Sequence, residues 1–250
     1  VYKTPQLNRR WHGSAAITAG IGVFVGLSGD NTPHKHWAHQ LVIGFYNDIC
    51  VRSGDYSAHH KGVLIPAGVA HQLDPADVLC IYIDPLHIGC PGLLQDFASP
   101  KDRLSPLSDQ LVEGCMTIFN GIGDLHVSVQ RFCQIYGNLD QSQMHNRLQY
   151  ILDTLKHDIA CGMDTSRATL AKQVHLSPSR FSHWFSKQTG LPLRSYKKWL
   201  KLIVGFELSR TMSLTDAALA AGFSDQAHFC RAVKQGFGVS PATIKQLLSA

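Results

Sequence analysis

The sequence predicts an α+β chain, with an N-terminal β-barrel and flanking helices followed by an all-α C-terminal domain of two repeated helix pairs. Three observations predict it. Short apolar runs separated by turn-forming residues fill residues 15–90. Near Leu104 the apolar period changes to that of a helix. The charge also divides: residues 164–250 hold 12 Lys/Arg against 4 Asp/Glu, whereas residues 1–163 hold 11 against 14. The expected divisions are 1–103 (barrel), 104–161 (helical, able to pair with a second copy) and 164–250 (basic helical domain).

The apolar runs of the first part are Val23–Val25, Leu41–Phe45, Val63–Ile65 and Val78–Ile83. Ser28-Gly29-Asp30-Asn31, Ser53-Gly54-Asp55 and Pro66-Ala67-Gly68 punctuate them, as in a small barrel or sandwich. From Leu104 onward, Leu107, Leu111, Cys115 and Ile118 recur at helical spacing, and so do Leu148, Ile151, Leu152, Leu155 and Ile159. These amphipathic helices have an apolar stripe to bury against the barrel or against a second subunit.

Beyond Cys161-Gly162-Met163-Asp164, which breaks the helical pattern, the chain reads as helix throughout. The first pair is Ala168–Val174, a turn at His175-Leu176, and a helix opened by Ser177-Pro178 and stopped by Gly190. Phe181, Trp184 and Phe185 form its inward stripe, while Ser179, Ser182, His183 and Ser186 fall outward, flanked by Arg180 and Lys187. The second pair begins at Ser213-Leu214-Thr215-Asp216, turns at Gly222-Phe223-Ser224 and continues through Asp225–Gln235. There Phe229 and Val233 point inward, and Gln226, Ala227, Arg231 and Lys234 outward with His228 at the edge. A helix over Leu193–Ser209 joins the pairs and carries Lys197, Lys198 and Lys201 on its polar side; Gly205 is expected to loosen it. At 1.5 Å per residue it is about 26 Å long, near the roughly 34 Å of one DNA turn. Ser240-Pro241 starts a last helix that would cap this domain.

Outward faces rich in small polar and basic groups and poor in carboxylates suit helices lying in the major groove of a polyanion. Arg and Gln are the side chains that engage guanine and adenine edges in two-pronged fashion. The stretches SPSRFSHWFSKQTG (177–190) and AGFSDQAHFCRAVKQGFGVSPA (221–242), separated by a long helix, resemble the AraC/XylS family of bacterial regulators over roughly residues 164–248. The resemblance implies two helix-turn-helix units that bind double-stranded DNA. Base contacts would come from Ser179, Ser182 and His183 in the first unit, and from Gln226, Ala227, His228 and Arg231 in the second. Arg180, Ser186, Lys187, Lys197, Lys198 and Lys234 complete the expected DNA-facing set. It also implies a small-molecule effector and a homodimer, and an activator would in addition meet RNA polymerase.

Pro33-His34-Lys35-His36 and Pro66-Ala67-Gly68-Val69-Ala70-His71 (Pro-x-Gly-x-x-His) resemble the two motifs of cupin barrels. His-x-His in a strand places both imidazoles on one face, about 7 Å apart. Gln40 stands at the position a ligating Glu takes in metal-binding cupins. Two readings of the cluster stay open. His34, His36, Trp37, Gln40, Tyr46 and His71 would line an effector pocket, or His34, His36 and His71 would hold a divalent metal in an open three-histidine site. A metal-dependent cupin enzyme with an appended helical domain is the competing function, although no general base stands beside the histidines in the sequence. The expected chain is therefore not an enzyme. His59-His60 and His87 read as surface or loop histidines.

Seven scattered cysteines without a Cys-x-x-Cys argue against a disulfide framework or zinc ribbon and for thiols in a reducing cytoplasm. Lys3, Arg9 and Arg10 before the apolar run Ala15–Leu27 imitate a signal peptide, but Gly20, Gly22 and Gly26 interrupt the run. No segment has the 18 apolar residues of a membrane helix.

Overall fold

A computed structural model describes residues 10–18, 20–86, 103–119, 123–136 and 146–249. Lys3, Arg9 and His87, named above, lie outside them. The chain divides into two compact units, residues 1–138 with 234–250, and residues 139–233. The expected division at 161–164 falls inside the second.

The first unit holds nine described strands: β1 (His12–Thr18), β2 (Ile21–Leu27), β3 (His39–Gly44), β4 (Ile49–Ser53), β5 (Tyr56–His60), β6 (Gly62–Ile65), β7 (Gln72–Leu73), β8 (Asp77–Ile83) and β9 (Ser105–Pro106). All pairings between them are antiparallel. They form a six-stranded sheet in the order β1-β2-β8-β3-β6-β9 and a three-stranded sheet in the order β5-β4-β7. The closed barrel expected from the sequence is thereby corrected. The strands are divided between two sheets with separate hydrogen-bond ladders, and the described ladders do not close on themselves.

Strand alternation gives the large sheet two apolar faces. Ile21, Val23, Leu41, Ile43, Leu79, Ile81 and Ile83 pack against helices α1 (Asp109–Phe119) and α2 (Leu125–Tyr136) through Leu111, Cys115, Ile118, Val129 and Phe132. Phe24, Val42, Val63, Ile65, Val78 and Cys80 face the small sheet through Ile49, Val51, Ala58 and Leu73. Two-sided burial explains why these strands read as nearly continuous apolar runs. The last helix, Pro241–Leu248, belongs to this unit; it lies on β1 and places Leu247 in the same cluster as Trp11, Ala15 and Phe24. The capping role expected of it in the basic domain is corrected accordingly.

The second unit is helical: α3 (Asn146–Ala160), α4 (Arg167–Gln173), α5 (Pro178–Thr189), α6 (Leu193–Ser209), α7 (Leu214–Ala220) and the first two turns of α8 (Gln226–Phe237), with α9 naming the last helix Pro241–Leu248. The residues Leu148, Ile151, Leu152, Leu155 and Ile159 are buried, and α3 packs on α6. Arg147 Nη2 ties α3 to the first helix pair by donating to the Val174 carbonyl at 2.7 Å. The apolar stripe of α3 is thus buried within the helical unit.

The sequence punctuation acts as written. Ser166, Ser177, Ser213 and Ser240 each accept a hydrogen bond from a first-turn amide at a helix start, with Pro178 and Pro241 following two of them. Gly205 is buried, and a Cβ there would meet Phe229 Cε2 at 2.7 Å. It admits α8 against α6, so its role is packing where the sequence suggested a loosened helix.

Candidate functional site

Two groups of predicted residues are assembled, one in each unit. In the helical unit, α4–α5 and α7–α8 form matching helix pairs about α6. Their turns superpose in kind: Leu176 N–H donates to the Ala171 carbonyl at 2.9 Å, and Phe223 N–H to the Ala218 carbonyl at 3.0 Å. The residue before each is left-handed, Gly222 at φ 79° and His175 at φ 55°. Phe181 packs on Phe185, which reaches Tyr196 on α6, and Phe229 packs between Phe206 of α6 and Phe223 of the turn.

This packing leaves the expected contact residues outward. Ser179, Arg180, His183 and Lys187 on α5 are exposed, with Ser182 and Ser186 half-buried; Gln226, Ala227, His228 and Arg231 on α8 are exposed. Ser182 Oγ donates to the Pro178 carbonyl at 3.1 Å, and Gln226 Oε1 accepts from Thr215 Oγ1 at 2.7 Å. Asp225 caps α8, its Oδ1 accepting from His228 N–H at 2.6 Å, and that bond holds its carboxyl below the usual range. Lys234 is exposed in the last turn of α8.

Lys197 is placed otherwise. Its Nζ lies 2.6 Å from Asp164 Oδ1 and donates also to the Thr165 carbonyl, and its side chain is only 14% exposed. Lys201 Nζ meets Asp164 Oδ2 at 3.1 Å and the Gly222 carbonyl at 3.2 Å. Both lysines tie α6 to the segment before α4, and Lys201 also to the second turn. Lys198 points outward and is exposed.

In the first unit, three backbone bonds bring the two histidine motifs together. His34 N–H donates to the His71 carbonyl at 3.0 Å, His71 N–H to the His34 carbonyl at 2.8 Å, and Gly68 N–H to the His36 carbonyl at 2.7 Å. His34 thus forms an isolated bridge with His71 and stands before β3, outside any named strand, which corrects the expected strand start. The three rings converge, with centroids 5.9 Å (His34–His36), 4.3 Å (His34–His71) and 5.0 Å (His36–His71) apart.

All three histidines are buried. Burial, and for His36 also the neighbouring His34, pushes His36 down to about 4; His71 is lowered well below its usual value and His34 is lowered, again mainly by burial. The cluster is therefore neutral near pH 7. Gln40 joins it, with Oε1 3.0 Å from His36 Nε2 and Nε2 donating to Tyr82 Oη at 3.2 Å. Gln40 and Tyr82 are register partners on β3 and β8, which accounts for that contact.

Trp37 lies half-buried against Gly68. Tyr46 is not brought to the histidines: it follows the far end of β3 and is 80% exposed. The sequence did not single out Tyr82, Phe237 or Gly238. Phe237 lies 5.9 Å from both the His36 and Tyr82 rings, and the Gly238 carbonyl accepts from Thr32 N–H at 3.2 Å. No linear signal connects these positions, since residues 237–238 sit at the other end of the chain.

Residues 170–246 match the family described as a helix-turn-helix domain. The chain is similar to the arabinose operon regulatory protein of Salmonella typhimurium, 31% identical over 106 residues, which are 42% of this chain and 36% of that one. It is also similar to the HTH-type transcriptional activator RhaR of Pectobacterium atrosepticum, 31% identical over 101 residues and 36% of each chain. The match thus spans about a third of the length of these relatives. In fold, the chain resembles ToxT from Vibrio cholerae, with a TM-score of 0.59 at 13% identity, covering 93% of this chain and all of that one. It likewise resembles unsaturated fatty acid bound wild-type ToxT from Vibrio cholerae strain SCE256, with a TM-score of 0.59 at 12% identity, covering 93% of this chain and 97% of that one. The paired turns and the outward faces of α5 and α8 thus lie in the stretch that matches the helix-turn-helix domain and is similar to the arabinose and RhaR regulators.

Proposed function

We propose that the chain is a sequence-specific, double-stranded-DNA-binding transcription regulator whose effector, a small molecule or a metal ion, is held by the N-terminal unit. One observation carries the reading: two capped helices, α5 and α8, present exposed polar and basic side chains, each over aromatic residues packed on α6, within a segment that matches a helix-turn-helix domain. Bases would be read by Gln226 and Arg231 on α8, with shorter contacts from Ser179, Ser182 and His183 on α5. Arg180, Lys187, Lys198 and Lys234 would meet phosphate.

Gln40 joins His36 to Tyr82 through its amide, so uncharged hydrogen-bonding groups line this side of the cluster, as a binding site requires. Pairing of two copies belongs to the same reading, and α2 leaves Val127 and Ile135 more than half exposed. No described helix is long and apolar enough to cross a membrane, and the reading places the chain in the cytoplasm with the promoter and RNA polymerase.

The test is a duplex selected in vitro from a random library, compared with random DNA. Arg231→Ala is expected to cost discrimination at one base position by about 1–3 kcal/mol, while Lys198→Ala weakens both duplexes alike. Equal loss on both duplexes for Arg231→Ala, or failure of the library to yield any preferred site, contradicts the reading.

A further inference from the structure

The three buried histidines share one arrangement. Each Nδ1 faces a backbone carbonyl: Thr32 at 2.8 Å from His34, Ala38 at 2.8 Å from His36, and Val69 at 2.9 Å from His71. A carbonyl oxygen only accepts, so each Nδ1 carries the proton and each neutral ring keeps its lone pair on Nε2. Histidines that ligate metals are fixed in this way, by an acceptor on the other ring nitrogen.

Two of those lone pairs have conspicuous surroundings. His71 Nε2 is buried and has no hydrogen-bond partner among the described residues. His36 Nε2 faces Gln40 Oε1 at 3.0 Å, acceptor against acceptor once Nδ1 holds the proton. A cation held by both atoms resolves that opposition; so does a reversed amide.

The ring spacing fits a shared ion. With metal–nitrogen bonds of about 2.0–2.1 Å, imidazole centroids lie about 3.2 Å from the metal and separate by about 4.5 Å at right angles or about 5.2 Å at tetrahedral ones. The observed separations are 4.3, 5.0 and 5.9 Å, and one nitrogen from each ring lies within 4.8 Å of the others. A small inward movement of His34 and His36 would complete the site.

We propose that His34, His36 and His71 bind one divalent transition-metal ion, zinc foremost, through their Nε2 atoms, with Gln40 Oε1 as a neighbouring oxygen donor, and that occupancy seats residues 235–238 on the cluster. The link runs through Thr32. Its carbonyl accepts from His34 Nδ1, while its N–H and Oγ1 donate to the Gly238 carbonyl at 3.2 and 3.4 Å. Lys35 N–H adds a bond to the Gln235 carbonyl at 3.4 Å, and the Phe237 ring lies against His36. Because α8 ends at Phe237, the ion would fix the C-terminal end of the helix that carries Gln226 and Arg231. This last consequence rests on the regulator reading above; the ion site itself does not.

The experiment uses the full chain, stripped with a chelator and titrated with Zn2+ against a fluorescent competitor, and with Co2+ followed by visible absorption. One ion per chain is expected, with His71→Gln and His34→Gln each weakening it at least about tenfold and shifting the cobalt spectrum. Gln40→Glu places a carboxylate beside the ion and is expected to tighten binding at least about tenfold, a gain that misfolding cannot imitate. Absence of stoichiometric binding, or binding that these three variants leave unchanged, overturns the site. The same samples are then tested on the selected duplex. Zn2+ is expected to change duplex affinity in the parent chain and not in His71→Gln; an equal affinity with and without Zn2+ overturns the link to α8. Duplex binding without any metal binding would remove the ion and leave the regulator, while metal binding without any duplex binding would do the reverse.

Discussion

His34 and His71 exchange both of their backbone hydrogen bonds, at 3.0 and 2.8 Å, so two short motifs distant in sequence become one buried cluster. The same cluster is backed by Gly238, which has φ 70°; a Cβ there would lie 2.5 Å from the Thr32 carbonyl oxygen and 2.6 Å from His34 Nδ1. Gly238→Ala therefore meets both a left-handed backbone and a collision with backbone. We expect a loss of about 1–3 kcal/mol in urea-induced unfolding. A variant as stable as the parent would show that residues 235–238 do not rest on the cluster as described.

Gly222 and His175 occupy the same step of the two turns, yet only one of them is glycine. A non-glycine residue in the left-handed region costs about 1–2 kcal/mol. His175→Gly relieves that strain at the expense of a more flexible unfolded chain, so a net gain of up to about 1 kcal/mol is expected from thermal or denaturant unfolding. Destabilisation would mean that the exposed His175 side chain contributes more than its backbone costs.

Gly205 sets helix propensity against packing. Alanine would favour α6 by about 1 kcal/mol in an exposed position, but its Cβ would meet the Phe229 ring at 2.7 Å. Overpacking of a core commonly costs about 1–3 kcal/mol. Gly205→Ala is thus expected to be neutral to destabilising, and Gly205→Val clearly destabilising; a Val variant that melts higher than the parent would contradict the close approach of α8 to α6.

Asp164 is held below its ordinary carboxyl value, first by the hydrogen bond from Lys197 and then by that from Lys201. A depressed folded-state value gives stability that is present above the unfolded value, near about 3.9, and is lost as pH falls through the folded value. Asp164→Asn should flatten that acid limb of the stability profile, with a modest effect at pH 7 because the Asp164 side chain is 57% exposed. Lys197→Ala should behave like Asp164→Asn in unfolding and change DNA affinity less than Lys198→Ala. A larger loss of DNA affinity for Lys197→Ala would return Lys197 to the contact surface.

What could be read in the sequence was local. Ser177-Pro178, Gly190, Ser213 and Ser240-Pro241 announce helix ends because a cap involves residues within one turn of each other. The outward position of Arg231 and the inward position of Phe229 follow from a period of 3.6. His34, His36 and His71 were legible as a constellation, and Gln40 as its neighbour, through the spacing of two motifs. What was not legible depended on distant partners. Nothing in the last helix names β1 as its bed, and nothing near Lys197 names Asp164. Tyr46 was aromatic and near β3, but strand length carries it to the opposite end from the histidines. A closed barrel and a two-sheet arrangement share the same short alternating runs, so the ladders alone distinguish them.

The central claim is that α5 and α8 lie on DNA. Its most direct measurement is the affinity of the chain for its selected duplex between about 50 and about 200 mM salt. Phosphate contacts from Arg180, Lys187, Lys198 and Lys234, four at most per chain, predict a linear fall of log affinity with log salt at a slope of about −3 to −4 per bound chain, shallower by about one in Lys198→Ala. An affinity independent of salt, or a slope unchanged by Lys198→Ala and Lys187→Ala alike, would contradict it.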